Sequence, residues 1–302
     1  PIRRSLCEVS SEGQSLARAA PDCASLARGR RSLPFTRALT FDTWSYMLKI
    51  TFLGTGTSHG VPVIGCDCPT CTSTDPRNHR TRCSILVEQN GASVLVDTSP
   101  ELRLQAIRAG LKRVDAVLFT HAHADHVFGL DDVRRFNDLQ GGALPCYGDS
   151  TTLRELRRIF RYAFVPTQVG GGKPRLELRR LLRPSFNLHG LEVRPLRVMH
   201  GQLPITAYRF GKSAYVTDAS FLPEETVAQL QGLDLLILDA LRRRPHATHF
   251  NLEQALEVVE RLAPRRALFT HLCHDLEHES TNAELPDGIR LAYDGLVVEV
   301  AP

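Results

Sequence analysis

Short apolar runs, each closed by a small or polar residue, recur from residue 48 to the end of the chain. Residues 48–53 read as a strand, and the runs 81–88 and 92–96 flank Asn90-Gly91 and read as a hairpin, because that dipeptide tolerates the positive φ a tight turn needs. Further strands are expected at 114–119, 143–147, 191–198, 206–210, 213–216, 234–238 and 267–270, with 291–300 closing a sheet. Helical spacing predicts helices at 101–109, stopped by Gly110, at 131–139, 151–160 and 224–231, and one capped by Asn251 that runs to Leu262. A polar helix follows around Glu277 and Glu279, with His278 on the surface. Residues 163–169 are expected to be extended, and the glycine run 170–172 with the charged stretch after it to be a loop. The repeated passage from strand to polar loop to helix predicts an α/β chain with its polar residues gathered at one rim of a sheet sandwich.

Residues 1–46 break the pattern. They are rich in Ser, Arg, Ala and Leu without a sustained period, and read as a poorly ordered extension, either a leader or an extension of the reading frame, with Met47 as the natural start. The expected organisation is therefore 1–46 as an extension and 47–302 as one domain. A chain of 302 residues can bury one substantial core or two closely joined halves. Its 42% hydrophobic and 23% charged residues are ordinary for a globular protein, and no long apolar run suggests a membrane partner. The net charge of +4 is concentrated at the start, where residues 1–46 hold seven arginines against four acidic residues. The nearly neutral remainder argues against nucleic acid as a partner. Arg242-Arg243-Arg244 is a local exception that could meet a phosphate or form a solvated loop.

Chemistry concentrates at His121-Ala-His123-Ala-Asp125-His126, which follows the run 114–119 and Thr120. A lone histidine on an apolar face is usually a core residue, but three histidines and an aspartate within six residues are not explained by packing. Imidazole and carboxylate suit zinc, manganese or iron, and the spacing lets His121 and His123 face one ion and Asp125 and His126 a second. Later strand ends supply partners. His200 is placed for the first ion, His271 for the second, and Asp218 can bridge both with one carboxylate. Asp97, at the end of the run 92–96, is placed to orient a ligand from outside the metal shell. Of His246 and His249, one is expected to project over the site.

Two loops complete the inventory. In Gly54-Thr-Gly-Thr-Ser-His-Gly60 the glycines allow close approach to a ligand, the hydroxyls could meet an oxyanion, and His59 is a candidate neighbour of the site. The stretch lacks the Gly-Lys-Ser/Thr ending of a nucleotide loop. Cys66, Cys68 and Cys71 present three thiols from a knuckle suited to structural zinc, with His274, Cys273 and Cys83 as candidates for a fourth ligand. Three of the eight cysteines thus sit at metal spacing, and no secretory apolar segment is visible at the start, so the expected compartment is the reducing cytoplasm.

From Met47 onward the chain resembles a metallo-β-lactamase-fold hydrolase. Residues 121–126 match the signature motif, and Asp97, His200, Asp218 and His271 follow strands in the expected order. More narrowly, Phe52-Leu-Gly-Thr-Gly-Thr-Ser-His-Gly-Val-Pro-Val-Ile-Gly-Cys66-Asp-Cys68-Pro-Thr-Cys71 together with Thr270-His-Leu-Cys-His274-Asp resembles the phosphoribosyl cyclic phosphate phosphodiesterases of the carbon–phosphorus lyase pathway. The resemblance implies an αββα sandwich, often dimeric, with two active-site divalent metals, manganese or zinc. It assigns His121, His123 and His200 to one metal, Asp125, His126 and His271 to the other, and Asp218 to both. It further implies a structural zinc at Cys66, Cys68, Cys71 and His274, and a catalytic His249 near the scissile phosphate. The implied reaction opens a small cyclic phosphodiester, 5-phosphoribosyl 1,2-cyclic phosphate, to a ribose bisphosphate. A broad cyclic nucleotide phosphodiesterase and an RNA-processing nuclease would use the same constellation, the latter weakened by the lack of an evident long RNA-holding arm. A non-catalytic metal scaffold is the weakest alternative.

Overall fold

The computed structural model describes residues 47–166 and 172–301. The readings given above for residues 1–46 and 167–171 lie outside the described residues. The first sheet holds β1 (Leu48–Gly54), β2 (Ser84–Gln89), β3 (Ala92–Val96), β4 (Ala116–Leu118), β5 (Leu144–Gly148) and β6 (Leu176–Arg180). The second holds β7 (Phe186–Leu188), β8 (Leu191–His200), β9 (Leu203–Phe210), β10 (Ser213–Val216), β11 (Leu235–Asp239), β12 (Arg266–Thr270) and β13 (Ile289–Leu291). The chain then returns to the first sheet, where β14 (Val297–Val300) pairs antiparallel with β1. Each sheet changes from antiparallel to parallel pairing along its width: β3 to β6 are parallel in one, β10 to β13 in the other.

Helices α1 (Leu102–Arg108), α2 (Ala124–Val127), α3 (Arg134–Gln140), α4 (Ser150–Ile159) and α5 (Arg161–Phe164) connect strands of the first sheet. Helices α6 (Glu224–Gln229), α7 (Leu252–Leu262) and α8 (His278–Glu284) do so in the second. Buried side chains divide by strand face. In β3, Val94 and Val96 join a core shared with Tyr208, Phe210 and Tyr215 of the second sheet, while Leu95 joins Leu102, Val127 and Phe136 on the helical side. In β11, Leu235 and Ile237 point into the same shared core, and Leu236 and Leu238 pack with Ala255 and Val259 of α7. A strand covered on both faces reads as a continuous apolar run, which is why 234–238 showed no alternation. Helix, sheet, sheet and helix thus form the expected αββα sandwich of an α/β protein.

Several boundaries differ from expectation, each for a physical reason. Residues 291–300 are two short strands in different sheets, separated by a turn whose Asp294 carboxylate accepts from the amides and hydroxyls of Thr55 and Thr81 at 2.6–2.9 Å. The charged stretch after residue 172 contains β6, and β7 follows; both lie at sheet edges, where charged side chains are tolerated and discourage further pairing. Residues 163–164 belong to α5 rather than to an extended segment, and 130–133 form a 3₁₀ turn ahead of α3. His278 is buried, at 4% exposure, rather than on the surface. Its amide donates to Asn78 Oδ1 at 2.8 Å, and its ring meets Tyr293 edge-on at 5.6 Å, so the first turn of α8 is drawn inward. Asn251 does cap α7: its side chain accepts from the Gln254 amide at 2.9 Å and Gln254 accepts from its amide at 3.1 Å, a reciprocal pair worth about 1 kcal/mol.

Candidate metal centre

Ligand-bearing residues collect at the C-terminal ends of the parallel strands, the rim at which open α/β sheets place their chemistry. Asp97 follows β3, His121 lies just after β4, Asp218 just after β10, Asp239 ends β11 and His271 follows β12. His200, the last residue of the long strand β8, comes in from the antiparallel side. Asp97, Asp218 and His271 take φ of 61°, 59° and 56°, a left-handed conformation that costs on the order of 1–3 kcal/mol in a residue with a side chain. Its recurrence at three equivalent strand ends, all on the rim, turns each side chain inward where the strand would otherwise continue.

The structure brings the expected residues into two donor groups. His121, His123 and His200 form one, and Asp125, His126, Asp218 and His271 the other, with the ligand atoms of each group within 4.8 Å of one another. Asp218 also groups with His200 and His249, so it stands between the two sets. Its Oδ1 is 3.3 Å from His126 Nε2 and its Oδ2 is 3.2 Å from His271 Nε2.

Neighbouring groups fix the ring orientations. Asp97 lies in a fully buried position, where Oδ2 meets His126 Nδ1 at 2.8 Å and the Thr120 hydroxyl at 2.7 Å, and Oδ1 accepts from the Thr120 amide at 2.8 Å. Its direct partner is thus His126, the neighbouring ligand, and it reaches His121 only through Thr120, whose oxygen is 3.0 Å from His121 Nδ1. His200 Nδ1 donates to the Thr248 carbonyl at 2.8 Å, leaving Nε2 for the site. His249 is the histidine that joins the rim, its Nδ1 3.3 Å from Asp239 Oδ2, while Asp239 Oδ1 accepts from the Ala219 amide at 2.9 Å. Sequence reasoning missed Asp239 and Thr120 as orienting groups; the signal was the same as for Asp97, a polar residue at the end of a buried run.

This donor set fits a pair of cations. His126 Nε2 and both ring nitrogens of His271 are buried without a hydrogen-bond partner, a cost of about 1–3 kcal/mol for each group unless something satisfies it. Burial holds His121 well below the usual imidazole range. At His126 burial acts the same way, but the carboxylates of Asp218, Asp97 and Asp125 overcome it and hold the ring well above that range. The carboxylates of the nest therefore favour positive charge beside His126 Nε2, one of the atoms left without a hydrogen-bond partner.

A second cluster forms where the loop that carries His271 meets the loop 66–71. The sulfurs of Cys66, Cys68 and Cys71 sit 3.2, 3.5 and 3.5 Å from His274 Nδ1. The Cys71 amide donates to Cys68 Sγ at 3.4 Å and the Val63 amide to Cys71 Sγ at 3.3 Å. The Cys71 amide is the main reason that the Cys68 thiol is lowered to about 7, while burial raises Cys71 to about 11. Of the candidates for the fourth position only His274 joins: Cys83 is buried against the Thr270 hydroxyl at 3.4 Å, and Cys273 accepts from the Asp275 amide at 3.3 Å. The glycines of 54–60 serve backbone approach rather than a phosphate cradle. A side chain at Gly56 would stand 2.6 Å from the Arg80 carbonyl, and the amides of Thr57 and Leu272 donate to the carbonyls of Leu272 and Thr55 at 3.1 and 2.9 Å.

Residues 92–272 match the β-lactamase superfamily domain. The chain belongs to that superfamily, and the class its fold and site define is that of the metal-dependent hydrolases. Within it the chain is similar to a diphosphatase of the PhnP family, at 45% identity over 84% of this chain and 97% of the other, with a TM-score of 0.79. Zinc-bound PqqB from Methylobacterium extorquens shares the fold at 21% identity, covering 83% of this chain and all of its own, with a TM-score of 0.68. An octanoyltransferase of Porphyromonas gingivalis is 37% identical over 82% of this chain, and the chain spans about half, 51%, of that protein's length.

Proposed function

We propose that the protein is a dinuclear metal phosphodiesterase that hydrolyses a small cyclic phosphodiester, 5-phosphoribosyl 1,2-cyclic phosphate, to a ribose bisphosphate. His121, His123 and His200 would hold one manganese or zinc ion and Asp125, His126 and His271 the second, with Asp218 placed to serve both. Such a pair, when bound, supplies Lewis acidity toward phosphoryl oxygens and makes water a competent nucleophile near neutral pH. Cys66, Cys68, Cys71 and His274 would hold a structural zinc, four protein donors sufficing for a tetrahedral site.

The protein's own groups do the rest. Asp97 holds His126 with its Nε2 toward the site, and the Thr248 carbonyl does the same for His200. Asp239 holds His249 so that Nε2 is free to meet the substrate. Burial, and then the neighbouring His271, lower His249 to about 4, so its ring is neutral in the free protein near pH 7. To act as the acid, His249 would take up a proton from solvent as the phosphodiester binds and pass it to the departing ribosyl oxygen, a step worth roughly 10²–10⁴-fold where such a group is well placed.

The observation that carries the reading is the loop 271–274, which sends His271 to the rim nest and His274 to the cysteine cluster. That combination is the one through which the sequence resembles the phosphoribosyl cyclic phosphate phosphodiesterases. The similarity to a PhnP-family diphosphatase favours a second reading, in which the same site cuts a phosphoanhydride. A substrate panel followed by ³¹P NMR separates them: rapid opening of the ribose 1,2-cyclic phosphate is expected, with nucleotide diphosphate linkages, cyclic nucleotides and RNA slower. Preferred cleavage of the anhydride would replace the first reading by the second.

A further inference from the structure

Arg80 is the largest fully buried side chain among the described residues. A buried guanidinium is ordinarily held by a carboxylate, because taking a charge out of water is costly. Here the hydrogen-bond partners are neutral. Nη1 donates to the Cys273 carbonyl at 2.9 Å, Nη2 to the Leu276 carbonyl at 2.6 Å and to Asn78 Oδ1 at 3.3 Å, and Nε to the Arg77 carbonyl at 3.4 Å. Burial lowers the group to about 10, and the more distant carboxylates of Asp294, Glu277 and Asp75 offset part of that lowering. The charge is therefore kept at neutral pH and spent on main-chain carbonyls.

Those carbonyls flank His274. The Leu276 amide reaches the Cys273 carbonyl only at 3.4 Å, so the guanidinium fork is the stronger link across the turn 273–276. His271 stands just ahead of that turn, its φ of 56° aiming it at the nest. The main chain of Arg80 holds the opposite loop: its amide and carbonyl pair with the carbonyl and amide of Val61 at 2.7 and 2.9 Å, on the approach to Cys66. From the same stretch the Val63 amide donates to Cys71 Sγ at 3.3 Å. The backbone of Arg80 thus belongs to the thiol side of the cysteine cluster and its side chain to the histidine side. A planar fork can meet two carbonyls at once, whereas the ammonium of lysine is a point charge and a thioether donates nothing.

We propose that Arg80 is a positioning residue for both metal sites: its guanidinium fixes the turn 273–276, and through it the directions in which His271 and His274 reach the rim nest and the cysteine cluster. The inference rests on the metal assignment given above and is independent of which phosphodiester is cut. Metal binding by the folded chain tests it. For the nest, manganese is titrated calorimetrically into protein whose rim ions a mild chelator has removed; for the cysteine cluster, elemental analysis follows zinc retained under a stronger chelator below the melting temperature. Arg80→Met should bind manganese about 10–100-fold more weakly, the range usual for losing a group that orients a metal ligand, and should release the zinc that the wild type keeps. Arg80→Lys should lie between the two, and it decides the matter alone if Arg80→Met does not fold. Val259→Ala, a cavity in the core beneath α7, should lower the melting temperature and leave both readouts as in the wild type. Unchanged readouts in a folded Arg80 variant, a change confined to one of the two sites, or an equal loss in Val259→Ala overturns the role. A wild type that binds metal at neither site would refute the metal assignment and this role with it, whereas wild-type binding with unaltered Arg80 variants refutes the role alone.

Discussion

The rim nest and the cysteine cluster share one loop, 271–274, and differ in nearly everything else. The nest is built from strand ends, is mostly buried, and each of His126, His200 and His249 has a partner that sets its orientation: Asp97, the Thr248 carbonyl and Asp239. The cysteine cluster is built from a loop, is only half-buried, and is tied by amide-to-sulfur bonds within the knuckle itself. One loop anchors both, and Arg80 clamps it. This arginine is 1% exposed and donates to the carbonyls of Cys273 and Leu276 at 2.9 and 2.6 Å. The difference teaches that strand ends hold ligands with an imposed geometry and an orienting shell, as catalysis requires, whereas a loop closed on sulfur needs only its metal. On this comparison the cysteine cluster braces the loop from which His271 reaches the nest.

The largest expected effect tests the asymmetry directly. Asp218→Ala should lose turnover by more than the ~10²–10³-fold that removal of one transition-state donor costs, because it also empties the active-site ions; elemental analysis should find the zinc of the cysteine cluster still present. Cys68→Ser should do the reverse. It should lose one zinc and several kcal/mol of the roughly 10–16 kcal/mol that structural zinc can supply, read as a lowered melting temperature, while folded molecules keep the two rim ions. Retention of zinc by that variant would remove the structural role. His249→Ala should keep all metal and lose about 10²–10⁴-fold in kcat; full activity would defeat its part as proton donor.

The smallest effect concerns the support beneath the cysteine loop. Burial, and then the charges of Arg77 and Arg80, lower His278 to about 4, against about 6.5 in an unfolded chain. As pH falls from 6.5, the unfolded state takes up this proton first, so stability should drop between about 6.5 and 4 and the His278 contribution should level off below that. Urea denaturation of His278→Leu should show a shallower pH dependence across that window, and an unchanged slope would mean that the ring is not buried in solution.

Much of the nest was legible because metal chemistry leaves a dense signal: His121 to His126 at short spacing, and Asp97, His200, Asp218 and His271 each at the end of a buried run. The alternation of elements also pointed to an α/β chain with a sheet sandwich, while the αββα layering followed from the family resemblance. The edges of the sheets were not legible, since β6 carries charged residues that imitate loop and β7 is only three residues long. Nor was the split of 291–300 between two sheets, which depends on Asp294 meeting Thr55 and Thr81 over 200 residues away in sequence. The orientation of Asp97 toward His126, the role of Asp239 behind His249, and the pairing of Arg243 with Glu284 are tertiary facts with no local periodicity to announce them.

Chelation followed by elemental analysis and activity on the same sample tests the division between the two clusters most directly. The division predicts three ions per chain for the three sites: two leave together under mild chelator with loss of turnover and return with it on addition of manganese or zinc, and one zinc stays until the protein unfolds. Loss of all the metal in a single step, or turnover that survives removal of the exchangeable pair, would contradict it.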